Sequence, residues 1–183
     1  MSGELVSNKL SKVPLFRGLN ETECRQIADI SKVVLLNPGD IVLAQGEETQ
    51  SLFILLEGKC EVIRQMPAGK GCSAPMTLAT IEPYQHCGEM SFFHKAPHSA
   101  TVKAITVAKL IKIDHGEFAD LVFDGASAAY KIAFNCLQGL SERLRKMDNW
   151  VADLLCEEVA ESAAPAAPEW NRFREKLFQG LNL

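Results

Sequence analysis

The chain has 183 residues, 47% of them apolar and 23% charged, with a formal net charge of −4. That length suits one domain with a sizeable core plus an appendage, and the acidic balance gives no support to a duplex-binding protein, whose footprint is a basic face. The opening "MSGELVSNKLSK" lacks the apolar run of a signal peptide, and "SLFILLEG", the most apolar stretch, is far shorter than the ~20 residues a membrane span needs. A cytoplasmic protein is therefore expected, with neither nucleic acid nor membrane as its partner. The six cysteines (Cys24, Cys60, Cys72, Cys87, Cys136 and Cys156) are scattered, with no C-x-x-C pair, and read as structural thiols.

The first ~30 residues read as helical. In "NETECRQIADISK", Asn20 stands as an N-cap with Glu23 three places on, a capping-box arrangement, and Cys24, Ile27, Ala28 and Ile30 follow at helical spacing. From Val33 to Ile113 the texture changes to short runs rich in Val, Ile, Leu and Phe: "VVLLNPGD", "IVLAQGEE", "LFILLEGKCEVIRQ", "MTLATIEP", "ATVKAI" and "AKLIKID". Strands of this length with Gly or Pro between them predict an antiparallel sandwich or jelly-roll barrel. Gly39, Gly46 and Gly58 fall at successive strand ends, where positive φ is expected. "QMPAGKGCSAP" (65–75) reads as a flexible hairpin tip, and its "AGKG" lacks the outer glycine and the Ser/Thr of a phosphate-binding P-loop.

A proline-free segment, "ASAAYKIAFNCLQGLSERLRKMDNWVADLLCEEV", then predicts one long helix. Tyr130, Ala133, Leu137, Leu140, Leu144, Met147, Val151 and Leu154 alternate three-four-three-four, a heptad seam that either packs on the chain's own barrel or joins two copies as a parallel dimer. The length exceeds what a small barrel can cover, which favours a homodimer. "AESAAPAAPE" follows as an extended Ala/Pro linker. In the final "WNRFREKLFQGLNL", Trp170, Phe173, Leu177 and Leu181 fall near one face of a short helix, which either folds back on the barrel or docks in a partner's groove. The expected organisation is a barrel with its helical lead over 1–125, the long helix over 126–159, the linker over 160–168 and an amphipathic tail over 169–183.

The richest chemistry lies in "CGEMSFFHKAPHSATV", Cys87 to Val102. Gly88 before an apolar-periodic "EMSFF" predicts a tight strand-to-helix turn. Glu89 suits sugar hydroxyls, which carboxylates bind in nucleotide sites, while Ser99, Thr101 and His98 offer donors. A ligand with a phosphate and a ribose fits that set; a surface loop whose Glu89 and Ser99 cap turns fits the segment taken alone equally well. His94 and His98 stand four apart, but Pro97 lies between them and no third ligand is evident, so no metal is expected.

The order of these pieces, with "LSKVPLFRGL", "NPGDIVLAQGE", "LFILLEGKCEV", "CGEMSFF" and "PHSATV" in line, resembles the cyclic nucleotide-binding domain family over about residues 10–155. The resemblance implies an α+β fold: an antiparallel β-roll, or double-stranded jelly-roll barrel, with N-terminal helices and a long C-terminal helix. It further implies a phosphate-binding cassette of Gly88, Glu89, Met90, Ser91, His98, Ser99, Ala100 and Thr101, with Glu89 on the ribose 2′-hydroxyl and a cyclic nucleotide (cAMP or cGMP) as ligand. The chain departs from the family in two ways. His98 stands where the family carries a phosphate-binding arginine, and only ~30 residues follow the long helix, too few for the helix-turn-helix reader some members append. A neutral imidazole replaces a fixed bidentate cation, so weak binding is expected, tightening below about pH 6.5 as His98 gains charge. The function this implies is a non-enzymatic regulatory or sensor module that relays its ligand to an unidentified protein partner. The alternative is a ligand-independent dimeric scaffold that recruits a partner protein or membrane through its C-terminal tail.

Overall fold

Among the described residues, eight strands run between Ser31 and Asp114: β1 (Ser31–Leu36), β2 (Ile41–Leu43), β3 (Ser51–Glu57), β4 (Cys60–Arg64), β5 (Met76–Ile81), β6 (His86–Cys87), β7 (Thr101–Ala104) and β8 (Ala108–Asp114). The structure, a computed structural model, describes residues 12–66 and 74–161, with side chains described as far as Asp153. The strands form two antiparallel four-stranded sheets, ordered β1-β8-β3-β6 and β2-β7-β4-β5. A 3-10 turn (Pro14–Phe16) and helix α1 (Glu21–Asp29) precede them, α2 (Glu89–Phe93) lies between β6 and β7, and α3 (His115–Phe123) and α4 (Ser127–Glu161) follow. This is the antiparallel β-roll with N-terminal helices and a long C-terminal helix.

Period-two alternation divides the apolar residues between two cores. Leu43, Cys60, Ile81, Val102 and Ala104 from one sheet meet Phe53, Leu55, Cys87, Ala108 and Leu110 from the other inside the roll. On β3 and β8 the intervening residues Leu52, Ile54, Ile111 and Ile113 are equally buried. By alternation they point away from the roll interior, and helices α1, α2 and α3, with Ile27, Phe92 and Phe118 buried, pack on β1, β3 and β8. The continuous run "SLFILL" follows from this: β3 is covered on both faces, so its sequence does not alternate. Each fully buried Leu, Ile or Phe contributes roughly 1.5–3 kcal/mol relative to exposure.

Gly39, Gly46 and Gly58 all take positive φ. Gly58 splits "LFILLEGKCEV" into β3 and β4, and a Cβ there would collide with the Val107 carbonyl oxygen. β4 and β5 pair as a hairpin; its tip, residues 67–73, lies outside the described residues. Two elements escape a periodicity reading: β6, only two residues long, and α3, whose "HGEFADLVF" buries Phe118 as its one fully covered side chain. The capping box of α1 is present, with Asn20 Oδ1 accepting from the Glu23 N–H (2.9 Å) and Glu23 Oε2 from the Asn20 N–H (2.7 Å).

The chain divides into two compact units, Met1–Cys136 and Leu137–Leu183. Helix α4 runs from Ser127 to Glu161 and so spans that division. Of the seam residues, Tyr130, Leu137, Leu144 and Met147 are exposed, Ala133, Leu140 and Val151 half-buried, and the Leu154 side chain is outside the described residues. The linker from residue 162 and the tail with Trp170, Phe173, Leu177 and Leu181 are also outside them. No described helix is long and apolar enough to cross a membrane.

Candidate functional site

The turn after β6 is made by Gly88, in the left-handed region at φ +88°, as N-cap of α2. A Cβ at this position would strike the Ser51 carbonyl oxygen of β3 and press on Leu43, so glycine is needed both for the turn and for the approach of the two backbones. The turn carries Glu89 and Ser91 inward, with Glu89 3% and Ser91 4% exposed, and leaves Met90 60% exposed. Phe92 anchors the short helix, edge-on to Phe93 and Phe118 at 5.1 Å each and to His115 at 5.5 Å.

His98 closes the cassette from the other side. Only 7% exposed, it has both ring nitrogens engaged: Nδ1 lies 2.8 Å from Ser91 Oγ, and Nε2 lies 2.6 Å from Thr49 Oγ1. The Ser91 hydroxyl also donates to the Gly88 carbonyl (3.2 Å), an arrangement in which its oxygen accepts from Nδ1–H and a neutral ring leaves Nε2 to accept from Thr49. Burial pushes the His98 pKa below the ordinary histidine value, against the smaller opposing pull of Glu47. Two backbone bonds fix the same junction, from the His98 N–H to the Glu47 carbonyl and from the Gly46 N–H to the His98 carbonyl, both 2.9 Å. The Gln45 N–H adds a third strut, donating to Thr101 Oγ1 (3.1 Å).

The structure therefore links Ser91 and His98 to the Gly88 turn, with Glu89 buried next to that turn, Ala100 buried, Thr101 half-buried and Ser99 exposed. His98 differs from its sequence reading: its ring clamps the β2–β3 loop to α2 instead of presenting free donors. Thr49, Gln45 and Gly46, which hold that loop, carry no chemical signature in the sequence beyond the glycine. His94 is exposed, and among the described residues no group of three His, Cys, Asp or Glu could hold a metal ion. The thiols of Cys24, Cys60 and Cys87 are buried and, chiefly by burial, shifted toward their protonated form.

A second polar cluster ties the N-terminal segment to the start of α4. Glu23, 4% exposed, accepts from Ser127 Oγ (2.6 Å) and pairs with Lys131 Nζ (2.7 Å). Lys131 also donates to the Gly18 carbonyl (3.0 Å), and Asn135 Nδ2 to the carbonyls of Leu15 and Arg17 (2.9 Å each). Hydrogen bonds from Lys131, then Ser127, then the Asn20 backbone hold the Glu23 pKa down at about 2, against the opposing effect of burial. The sequence reading took Glu23 for a cap alone; its partners lie more than 100 residues away.

The profile of the family described as "Cyclic nucleotide-binding domain" matches residues 33–124, half of the chain, and takes in the roll, the cassette and α3. The chain belongs to the cyclic nucleotide-binding domain family. Among curated proteins it is 25% identical over 150 residues to a CRP-like cAMP-activated global transcriptional regulator of Mycobacterium tuberculosis, covering 82% of this chain and 63% of that one. This chain thus spans less than two thirds of that relative's length. Among solved structures, the catabolite activator protein of Thermus thermophilus superposes with a TM-score of 0.68 at 26% identity, covering 77% of this chain and 62% of that one. The regulatory subunit of a cAMP-independent protein kinase A from Trypanosoma cruzi, bound to guanosine, gives a TM-score of 0.56 at 26% identity, covering 75% and 50%. The candidate cassette residues lie on β6, α2, the loop before β7 and the start of β7.

Proposed function

We propose that this cyclic nucleotide-binding domain is a non-enzymatic regulatory module. Its cassette (Gly88, Glu89, Met90, Ser91, His98, Ser99, Ala100 and Thr101) takes a ribose-bearing ligand of the cyclic nucleotide class and passes its occupancy to α3 and α4. The observation that carries this reading is the Gly88 turn, which spends a left-handed residue and a close backbone approach to place a buried carboxylate, Glu89, at the mouth of a short helix. A carboxylate in that position suits a sugar diol. His98 supplies no fixed cation for a phosphate, so cAMP or cGMP binds weakly. Losing one charge-assisted contact of roughly 1.5–3 kcal/mol weakens binding about ten- to a hundredfold.

The relay is physical contact. Phe92 and Phe93 of α2 pack on Phe118 of α3, at 5.1 and 6.0 Å. The turn after α3 leads directly into the first turns of α4, which Glu23 and Asn135 tether to the N-terminal segment. A ligand that shifts α2 changes the packing beneath Phe118 and biases where α4 begins, provided it binds the two arrangements with different affinity. The exposed seam along α4 supports a homodimer as the assembly that reads this change, in a cytoplasmic setting. A ligand-independent scaffold is the second reading, favoured by the complete engagement of the His98 ring within the protein. Amide hydrogen exchange of the full chain with millimolar cAMP and with millimolar cGMP separates the two. The regulatory reading expects slowed exchange over 86–101 together with a change over 115–136; no change in either segment with either nucleotide leaves the scaffold.

A further inference from the structure

We propose that Gln50 is a two-position link between the cassette helix α2 and α3. Its side-chain amide holds the Phe92 carbonyl in this structure, and it transfers to Nδ1 of His115 when α2 moves. The link adds a polar route to the relay proposed above. It operates in the ligand-free chain, so its failure is distinct from that of the ligand-sensing reading.

Gln50 and Ser51, at the start of β3, touch both partners of that relay. On the cassette side, a Cβ on Gly88 would strike the Ser51 carbonyl, and Gln50 Nε2 donates to the Phe92 carbonyl. On the α3 side, Ser51 Oγ donates to Asp114 Oδ1 (2.8 Å) and the His115 N–H to the Gln50 carbonyl (3.0 Å). Ser51 pairs with Asp114 in the β3–β8 register, so one more step sets Gln50 opposite His115. Opposite side chains of an antiparallel pair share a face, with Cβ atoms about 4.5–5.5 Å apart.

The arrangement is incomplete at both ends. The amide's hold on Phe92 is long, at 3.4 Å, against a usual N–H···O range of about 2.7–3.2 Å. His115 Nδ1 is buried without a hydrogen-bond partner, the one such side-chain atom among the described residues. A buried polar atom left unpaired is destabilising, so a group that reaches Nδ1 competes with the weak bond to Phe92. The neighbouring charges are already engaged: Asp114 Oδ1 also accepts from Lys112 (2.7 Å), its Oδ2 accepts from Lys32 (3.1 Å), and Lys32 pairs with Glu117 (3.2 Å). The Gln50 amide carries donors and an acceptor, so it suits either tautomer of the imidazole. Turning it to His115 frees the carbonyl near the C-terminal end of α2. The position of α2 is thereby linked to α3, whose His115 ring meets Phe92 at 5.5 Å.

Nitrogen-15 NMR of the ligand-free full chain tests the link, through the His115 ring nitrogens and backbone relaxation dispersion over 89–94 and 115–118. The wild type is expected to show millisecond exchange in both segments at one common rate. Gln50→Leu, which can hold neither acceptor, should abolish it in both and move the His115 Nδ1 resonance to its unbonded value. His115→Phe keeps a ring against Phe92 and removes the second position, so it too should abolish the exchange. Flat dispersion profiles in the wild type overturn the proposal, as does exchange that persists at an unchanged rate in either variant. An Nδ1 resonance identical in wild type and Gln50→Leu overturns it as well, because a Gln50 that merely braces Phe92 leaves that resonance where it is. Should both variants fail to fold, a common rate in the two wild-type segments supports the link and separate rates overturn it.

Discussion

At Glu23 a buried carboxylate gathers a lysine, a serine hydroxyl and a helix cap; at His98 a buried imidazole gathers two hydroxyls. Both clusters bridge segments distant in sequence, and both leave the central atom of the knot almost without solvent. They differ in charge. The Glu23 cluster is an ion pair reinforced by hydrogen bonds, and it holds a helix end against the N-terminal segment. The His98 cluster is neutral, and it holds a loop against the helix that opens the cassette. The Glu23–Lys131 pair, buried at the carboxylate and 41% exposed at the lysine, tethers α4, whereas burial favours the neutral form of His98. The His98 junction is held by hydroxyls and backbone bonds.

The sharpest way to separate the clusters is to break one without touching the other. Gly88→Ala should do so with the largest effect, because the new Cβ meets the Ser51 carbonyl and φ stays at +88°. A loss of about 3 kcal/mol in denaturant unfolding is expected, with the Glu23 tether unaltered. A loss below about 1 kcal/mol would mean that the β3 backbone yields easily and the turn is not fixed. Glu23→Gln attacks the other cluster. It keeps the size of the side chain, cannot pair ionically with Lys131, and should cost about 2 kcal/mol. Its pH signature follows from the lowered pKa. The Glu23 carboxylate contributes stability that is complete above the unfolded value near 4.5, and lost as pH falls from there toward about 2. Acid unfolding of the variant should lack that component, and identical acid profiles would remove Glu23 from the list of stabilising charges.

The same contrast explains what the amino-acid pattern disclosed. The capping box at Asn20 and Glu23 is a local, three-residue signal, and it was legible; the pairing of that Glu23 with Ser127 and Lys131 was not, because nothing in either segment marks the other. The roll was legible because apolar alternation and glycine punctuation repeat eight strands over, although the two-residue β6 carries too little pattern to be seen. Gly88 and Glu89 were found because the turn chemistry and the family motif coincide. His98 was found as a departure from that motif, yet its engagement required Thr49, an ordinary threonine in a loop whose only mark is Gly46. A polar bridge through the interior has no periodicity, so distance in sequence hides it. The proposed dimer seam is the opposite case: its heptad pattern is plain, and its exposed Tyr130, Leu137, Leu144 and Met147 leave the covering surface to be supplied. Sedimentation of the full chain should give the mass of a dimer, and Leu137→Glu with Leu144→Glu should return the monomer with the roll still folded.

The smallest expected effects lie in the neutral cluster, and they test whether it is neutral at all. Thr49→Val removes the hydroxyl that serves Nε2 and should cost about 1 kcal/mol at pH 8, with Thr49→Ser costing less. The pH dependence is more telling. Because burial depresses the His98 pKa, the folded chain binds fewer protons there than the unfolded chain does, so stability rises with pH across the interval between the two values. The contribution is present above the unfolded value near 6.5 and is lost as pH falls below it toward the folded one. His98→Gln retains a donor and an acceptor and cannot titrate. The stability difference between wild type and this variant should therefore shrink as pH is lowered from 8 to 5. Taking the difference removes the other histidines from the comparison. A gap that widens instead would show that the imidazole is more stable charged than neutral in its pocket. His98 would then be a latent cation, and the electrostatic contrast with Glu23 would fail.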